Sequence, residues 1–91
     1  MNYFEDPFIK ILPKLDVHGE TSDTVWLVVS NFIRDSIKLN KYKIYVIHGR
    51  HSSILKNVIH QKLSKDKRVD KFYTYMWNSG ITIIELKKDF T

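Results

Sequence analysis

The sequence contains no cysteine, so neither a disulfide framework nor a thiolate metal site is available and packing alone must hold the fold. Three glycines and two prolines in 91 residues are too few for a collagen-like or low-complexity chain. No apolar run approaches bilayer-spanning length, and the segment from Asn2 to Asp6 lacks the basic start of a signal peptide. These absences point to a soluble, cytoplasmic protein, with a reducing compartment as a compatible setting. What is present fits one small globular domain: 43% hydrophobic and 27% charged residues. Fifteen Lys and Arg against ten Asp and Glu leave a net charge of +5, which favours a polyanionic partner through counterion release.

Along the chain, Met1 to Pro13 reads as an N-terminal arm whose Phe4, Phe8, Ile9, Ile11 and Leu12 show no clear period and would pack on the body or on a partner. Leu15 to His18 reads as a short strand closed by Gly19, and Thr21 or Ser22 can cap the helix that follows. Val25, Val29, Phe32, Ile33 and Ile37 fall at helical spacing, which predicts a helix ending near Asn40. Tyr42 to His48 is a β-branched and aromatic run expected of a strand covered on both faces. A second helix is expected from about Ser53, with Ile54, Leu55, Val58, Ile59 and Leu63 inward and Lys56, Gln61 and Lys62 outward. Val69 to Met76 and Ile81 to Leu86 alternate around the turn Asn78-Ser79-Gly80 and should form a hairpin. The order is β-α-β-α-β-β, an α/β two-layer sandwich with a mixed four-stranded sheet and two main helices. Residues 1–13 form the arm and residues 14–91 the domain. Strands joined through a right-handed crossover are parallel, so the first two strands should run the same way.

In an open α/β sheet, ligands bind beyond the carboxyl ends of the parallel strands. His18 and His48 are both expected there, each followed by glycine and each preceding a helix N-terminus that favours phosphate. Gly19 and Gly49 permit close backbone approach, Ser52 and Ser53 supply hydroxyl and backbone donors, and Arg50 and Lys56 add positive charge. Asp16, two residues before His18, can orient that imidazole or hold it protonated. Two histidines across one phosphate suit general acid and general base for attack of an RNA 2′-hydroxyl on its own phosphorus. RNA is therefore favoured over DNA, whose nicking would call for water activated by a divalent ion such as Mg²⁺ or Mn²⁺. Asp16, His18 and His48 are permitted zinc ligands, but the sequence has no compact zinc pattern, and no metal residue is assigned.

These residues also carry a resemblance. Leu15-Asp16-Val17-His18-Gly19 resembles the LDLHG motif that opens the Smr (small MutS-related) domain, and His48-Gly49 before a helix is similar to that family's HGxGxGxLR segment. Lys56 falls on the basic LR position, and Gly80 with Thr82 on the closing Gly-Ala-Thr segment. The resemblance runs from Pro13 to Leu86 and implies a two-layer α/β domain, found alone or at the end of MutS2-type proteins. Its implied activities are DNA nicking and RNA cleavage, including messenger RNA at stalled ribosomes. Carried over, Asp16, His18 and His48 would be catalytic, with Gly19, Gly49, Arg50, His51, Ser52, Ser53 and Lys56 holding substrate. The sequence departs from the family at the later glycines of HGxGxG, which are His51 and Ser53 here, and at the glycine-rich turn, which is Asn78-Ser79. The second reading is accordingly a non-catalytic RNA-binding or ribosome-binding module.

Plainer readings apply elsewhere. His60 reads as a surface residue of the second helix, and Lys65, Lys67, Arg68 and Lys71 as a solvated linker. Tyr73, Tyr75 and Trp77 alternate along one face and could stack on unpaired bases, although core packing is the simpler role; Trp26 is expected in the core or at an interface.

Overall fold

A computed structural model describes residues 7–50 and 53–89, apart from the side chains of Pro7 and Phe8. The elements are α1 (Pro7–Lys10), β1 (Lys14–Asp16), α2 (Val25–Lys38), β2 (Lys43–Ile47), α3 (Ile54–Leu63), β3 (Val69–Thr74) and β4 (Ile81–Leu86). The two main helices and four strands follow the expected order. The sheet runs β1-β2-β4-β3, with β1 and β2 parallel and the other two pairings antiparallel. The mixed sheet follows from the connections: a helix joins the parallel pair, whereas a turn suffices for the β3–β4 hairpin.

Alternation along the central strands divides the interior. Ile44 and Val46 of β2 and Ile84 and Leu86 of β4 join Val25, Val29, Ile33, Ile59 and Leu63 in the main core beneath α2 and α3. Tyr45, Ile81 and Ile83 point to the other face, where Ile9 of α1 buries itself against them. The arm therefore packs on the body through α1, while Phe4 lies outside the described residues. β4 pairs with β3 in the expected hairpin and is buried on both faces along most of its length.

Three boundaries differ from the sequence reading for local reasons. β1 stops at Asp16, so His18 lies beyond the strand. α2 begins after Thr24, whose hydroxyl donates to the Glu20 carboxylate instead of capping the helix. β3 ends at Thr74, leaving Met76 and Trp77 exposed in the turn. The end of α2 is set by Asn40, at φ 58°, where Lys41 N–H donates to Ser36 and Asn40 N–H to Ile37. That is a left-handed helix stop, a conformation asparagine tolerates better than most residues. On α3, Leu55, Ile59 and Leu63 are buried as expected, but Ile54 is 61% exposed.

Candidate functional site

The parallel strands β1 and β2 end side by side, and the chain segments that leave them carry the chemistry. Asp16 and His18 do not simply share a strand face. The Asp16 carboxylate accepts both the His18 backbone N–H, at 3.1 Å, and the His18 ring Nδ1–H, at 2.5 Å. One oxygen thus fixes the local turn and the ring together. Because Nδ1 carries the proton, the lone pair of the neutral imidazole is on Nε2, the atom a general base uses. The hydrogen bonds from His18 hold the Asp16 carboxyl below its ordinary range. Both side chains are open to solvent, at 72% and 48% exposure, so the pair contributes little to stability. Its value is geometric.

His48 stands in a different environment. It follows β2 directly and is buried, at 4% exposure. Its Nδ1 lies 3.2 Å from the Gly49 carbonyl oxygen and its Nε2 lies 2.8 Å from the Thr82 hydroxyl. His18 and His48 thus border one opening, as the sequence suggests, but only the His18 imidazole is exposed. His60, read from sequence as a surface residue, is half-buried instead: its Nε2 lies 2.6 Å from the same Thr82 hydroxyl, and its ring packs edge-on against Phe72. The signal for this group was Thr82 itself, a hydroxyl on the face of β4 whose other residues, Ile84 and Leu86, are apolar, so that it must find a buried hydrogen-bonding partner.

Burial pushes both imidazoles below their ordinary 6.5, and the Lys56 charge adds to the effect at each ring. The unfolded chain takes up protons as pH falls through about 6.5, whereas the folded rings resist until lower pH. Stability should therefore be greatest above that value, decline as pH drops through it, and level off once the folded rings also protonate. The slope contributed by each ring approaches about 1.4 kcal/mol per pH unit. Melting temperatures from pH 7.5 to 5 should show this decline, and His60→Gln should flatten it. An unchanged slope in the variant would refute the assignment.

The loop after β2 is clamped to the β3–β4 turn. The N–H groups of His48 and Gly49 both donate to the Gly80 carbonyl, at 2.9 and 3.1 Å. Gly49 has φ +90°, which explains its lack of a side chain, but its N–H is committed to the clamp and not presented to a ligand. At Gly80 a Cβ would lie 2.9 Å from both the Gly49 carbonyl carbon and Arg50 Cγ. Gly19 carries no such constraint, since a Cβ there would meet nothing within 4 Å.

His18 borders two openings. One, of about 420 Å³, is also lined by His48, Glu20, Thr21, Gly49 and Ile54; the other, of about 250 Å³, by Gly49, Arg50, Asn78 and Gly80. A larger opening of about 570 Å³ lies at the opposite end of β2, beside Lys43, Asp70, Glu85 and Lys88, without any histidine. The acid–base groups place the candidate site at His18. Ser53 occupies the N-cap position of α3 without a side-chain capping bond, and Lys56 is half-buried one turn into that helix. His51 and Ser52 lie outside the described residues. Among the described residues, no three His, Asp or Glu side chains are grouped to hold a metal ion, and no helix is long and apolar enough to cross a membrane.

Comparison with known proteins agrees with this architecture. The Smr domain family profile matches residues 15–87. The chain is 31% identical over 80 residues to endonuclease MutS2 of Pelotomaculum thermopropionicum, covering 85% of this chain and 10% of that protein. Against endonuclease MutS2 of Caldanaerobacter subterraneus it is 34% identical over 79 residues, covering 84% and 10%. It spans about a tenth of the length of these relatives. Among solved structures, the Smr domain of Thermus thermophilus MutS2 superposes with a TM-score of 0.80 at 24% identity, covering 84% of this chain and 99% of that one. YdaL of Escherichia coli, a stand-alone small MutS-related protein, gives 0.75 at 19% identity, covering 82% and 64%.

Proposed function

The chain belongs to the Smr domain family, and from that footing we propose that it is an endonuclease domain that cleaves RNA by acid–base chemistry at Asp16 and His18. The observation that carries this reading is the Asp16–His18 pair. An exposed imidazole, held by its Nδ1–H and offering Nε2, stands beside Gly49 and Arg50 at the ends of the parallel strands. The MutS2 relatives, named as endonucleases, lend it support.

In the proposed reaction, a backbone phosphate rests near Arg50 and the N-terminus of α3, whose first-turn N–H groups lack intrahelical acceptors. His18 Nε2 takes the proton from the adjacent 2′-hydroxyl. The 2′-oxygen bonds to phosphorus, the bond to the 5′-oxygen breaks, and that oxygen leaves with a proton returned from the imidazolium or from water. The products are a 2′,3′-cyclic phosphate and a 5′-hydroxyl. Asp16 keeps the ring oriented and stabilises its charged form. His48, on the wall of the opening it shares with His18 but with both ring nitrogens engaged by protein groups, supports the site instead of touching the phosphate. Messenger RNA on a stalled ribosome is one substrate with the required 2′-hydroxyl.

Arg50 and Lys56 should contribute through charge. Neutralising either to alanine should weaken RNA binding across sequences and reduce the slope of log affinity against log salt by roughly 0.7 to 0.9 for each phosphate no longer neutralised. Fluorescence anisotropy over a salt series measures this; an unaltered slope in both variants would remove them from the interface. For the activity itself, purified protein is incubated with end-labelled single-stranded RNA and with supercoiled plasmid, in EDTA and in Mg²⁺ or Mn²⁺. RNA cutting that survives EDTA supports 2′-hydroxyl attack. Plasmid nicking without RNA cutting would overturn the RNA assignment, and binding without any cutting would leave a binding module.

A further inference from the structure

We infer that His60 is a positioning residue, which through the Thr82 hydroxyl holds His48 in its Nδ1–H tautomer and so pins the Gly49–Arg50 loop beside His18. That the pinned loop serves RNA rests on the function proposed above; the hydrogen-bond chain does not.

The chain of donors follows from counting protons. The Gly49 carbonyl can only accept, so the His48 Nδ1 facing it at 3.2 Å must carry the hydrogen. In a neutral ring Nε2 is then an acceptor, and the Thr82 hydroxyl 2.8 Å away must donate to it. Thr82 has one hydroxyl proton, now committed, so its oxygen must accept from His60 Nε2–H at 2.6 Å. The polarity therefore runs from His60 through Thr82 and His48 to the Gly49 carbonyl. The reverse polarity would set the bare His48 Nδ1 lone pair against the carbonyl oxygen. Burial favours neutral rings at both ends of this chain.

Each link is fixed by a different element. Thr82 lies on β4 opposite Val46, with no exposed surface. His60 sits on α3, its ring centroid 5.0 Å from that of Phe72 on β3. The last link meets the same residue that donates its N–H to Gly80, so Gly49 is held through both its carbonyl and its N–H. Arg50 follows immediately. A loop whose later family glycines are replaced by His51 and Ser53 is thereby tied to the core at its first residue.

Long-range ¹H–¹⁵N correlation spectra of ¹⁵N-histidine protein at pH 7.5 test the proton placement, with His48→Gln and His60→Gln assigning the signals. The expected result is His48 protonated on Nδ1 and His60 on Nε2, each as one tautomer. The opposite placement, or an averaged mixture at either ring, overturns the inference whatever the protein does to RNA. Amide hydrogen exchange at Gly49 then tests the positioning. Thr82→Val removes the hydroxyl at nearly constant size and should speed that exchange roughly two- to tenfold, the worth of one hydrogen bond, while Thr82→Ser should keep the native rate. Should Thr82→Val fail to fold, His60→Leu and the donor-bearing His60→Gln carry the same contrast. Equal exchange in the donor-lacking and donor-bearing variants would show that the chain does not hold the loop. Loss of loop order in a protein that never cleaves RNA would sustain the inference and refute only the proposed activity.

Discussion

Replacing His18 with alanine should lower RNA cleavage by on the order of 10²–10⁴-fold, the usual cost of removing a positioned acid or base. The expected selectivity of the loss comes from exposure. The side chain is 72% open, its ring is hydrogen-bonded to the Asp16 carboxylate, itself 48% exposed, and it belongs to neither core cluster. The melting temperature and the binding of RNA should therefore stay close to those of the parent. Asp16→Asn should cost less than His18→Ala, because an amide oxygen can still accept the Nδ1–H although the negative charge is gone. Rates measured with substrate in excess separate these outcomes. A drop in rate accompanied by an equal drop in folded protein would mean that His18 is structural.

Gly80→Ala should produce the other large effect, although the residue touches no substrate in the proposed reaction. Its new Cβ would stand 2.9 Å from the Gly49 carbonyl carbon and 3.1 Å from the Arg50 backbone nitrogen. Arg50 Cγ can swing away, but two backbone atoms cannot yield without moving the loop. Relieving the clash stretches the paired bonds from His48 and Gly49 N–H to the Gly80 carbonyl. Overpacking of this kind costs typically about 1–3 kcal/mol. Because Arg50 moves relative to His18, cleavage should fall further, toward about 10²-fold for a displacement near 1 Å. Denaturant unfolding and the cleavage rate measured on one preparation test this together. Wild-type stability with a wild-type rate would mean that the turn accommodates the methyl group and that the clamp is unimportant.

The architecture was largely legible because several sequence signals agreed. The 3.6-residue stripe of Val25, Val29 and Ile33 and the apolar run Ile44 to Val46 specify a helix and a doubly covered strand, and both occur. The parallel pairing of β1 and β2 followed from the helix between them. Element ends were less legible, since they depend on single hydrogen bonds. Nothing in the period of α2 signals that Thr24 would give its hydroxyl to Glu20.

At the candidate site, the sequence placed Asp16 beside His18 and both near Gly49, and the fold brings these together. It could not distinguish an exposed histidine from a buried one. His18 and His48 look equivalent as residues before glycine, yet His48 is covered and both its ring nitrogens meet protein groups. His60 was missed because helical phase puts it next to Ile59 with Lys56 one turn back, a pattern that also fits an exposed edge. Only the tertiary approach of Thr82, 22 residues later, reveals its role. A long-range polar contact leaves no local periodicity to read.

The most direct test of the proposed chemistry uses a short end-labelled RNA, incubated in EDTA with wild type or His18→Ala, and a matched RNA carrying one 2′-deoxy nucleotide at the cleaved position. The prediction is that wild type cuts the all-ribose strand to a 2′,3′-cyclic phosphate, that the single deoxy substitution blocks that cut, and that His18→Ala cuts at least about 10²-fold more slowly. Equal cutting by the two proteins, or cutting at the deoxy position, would contradict it.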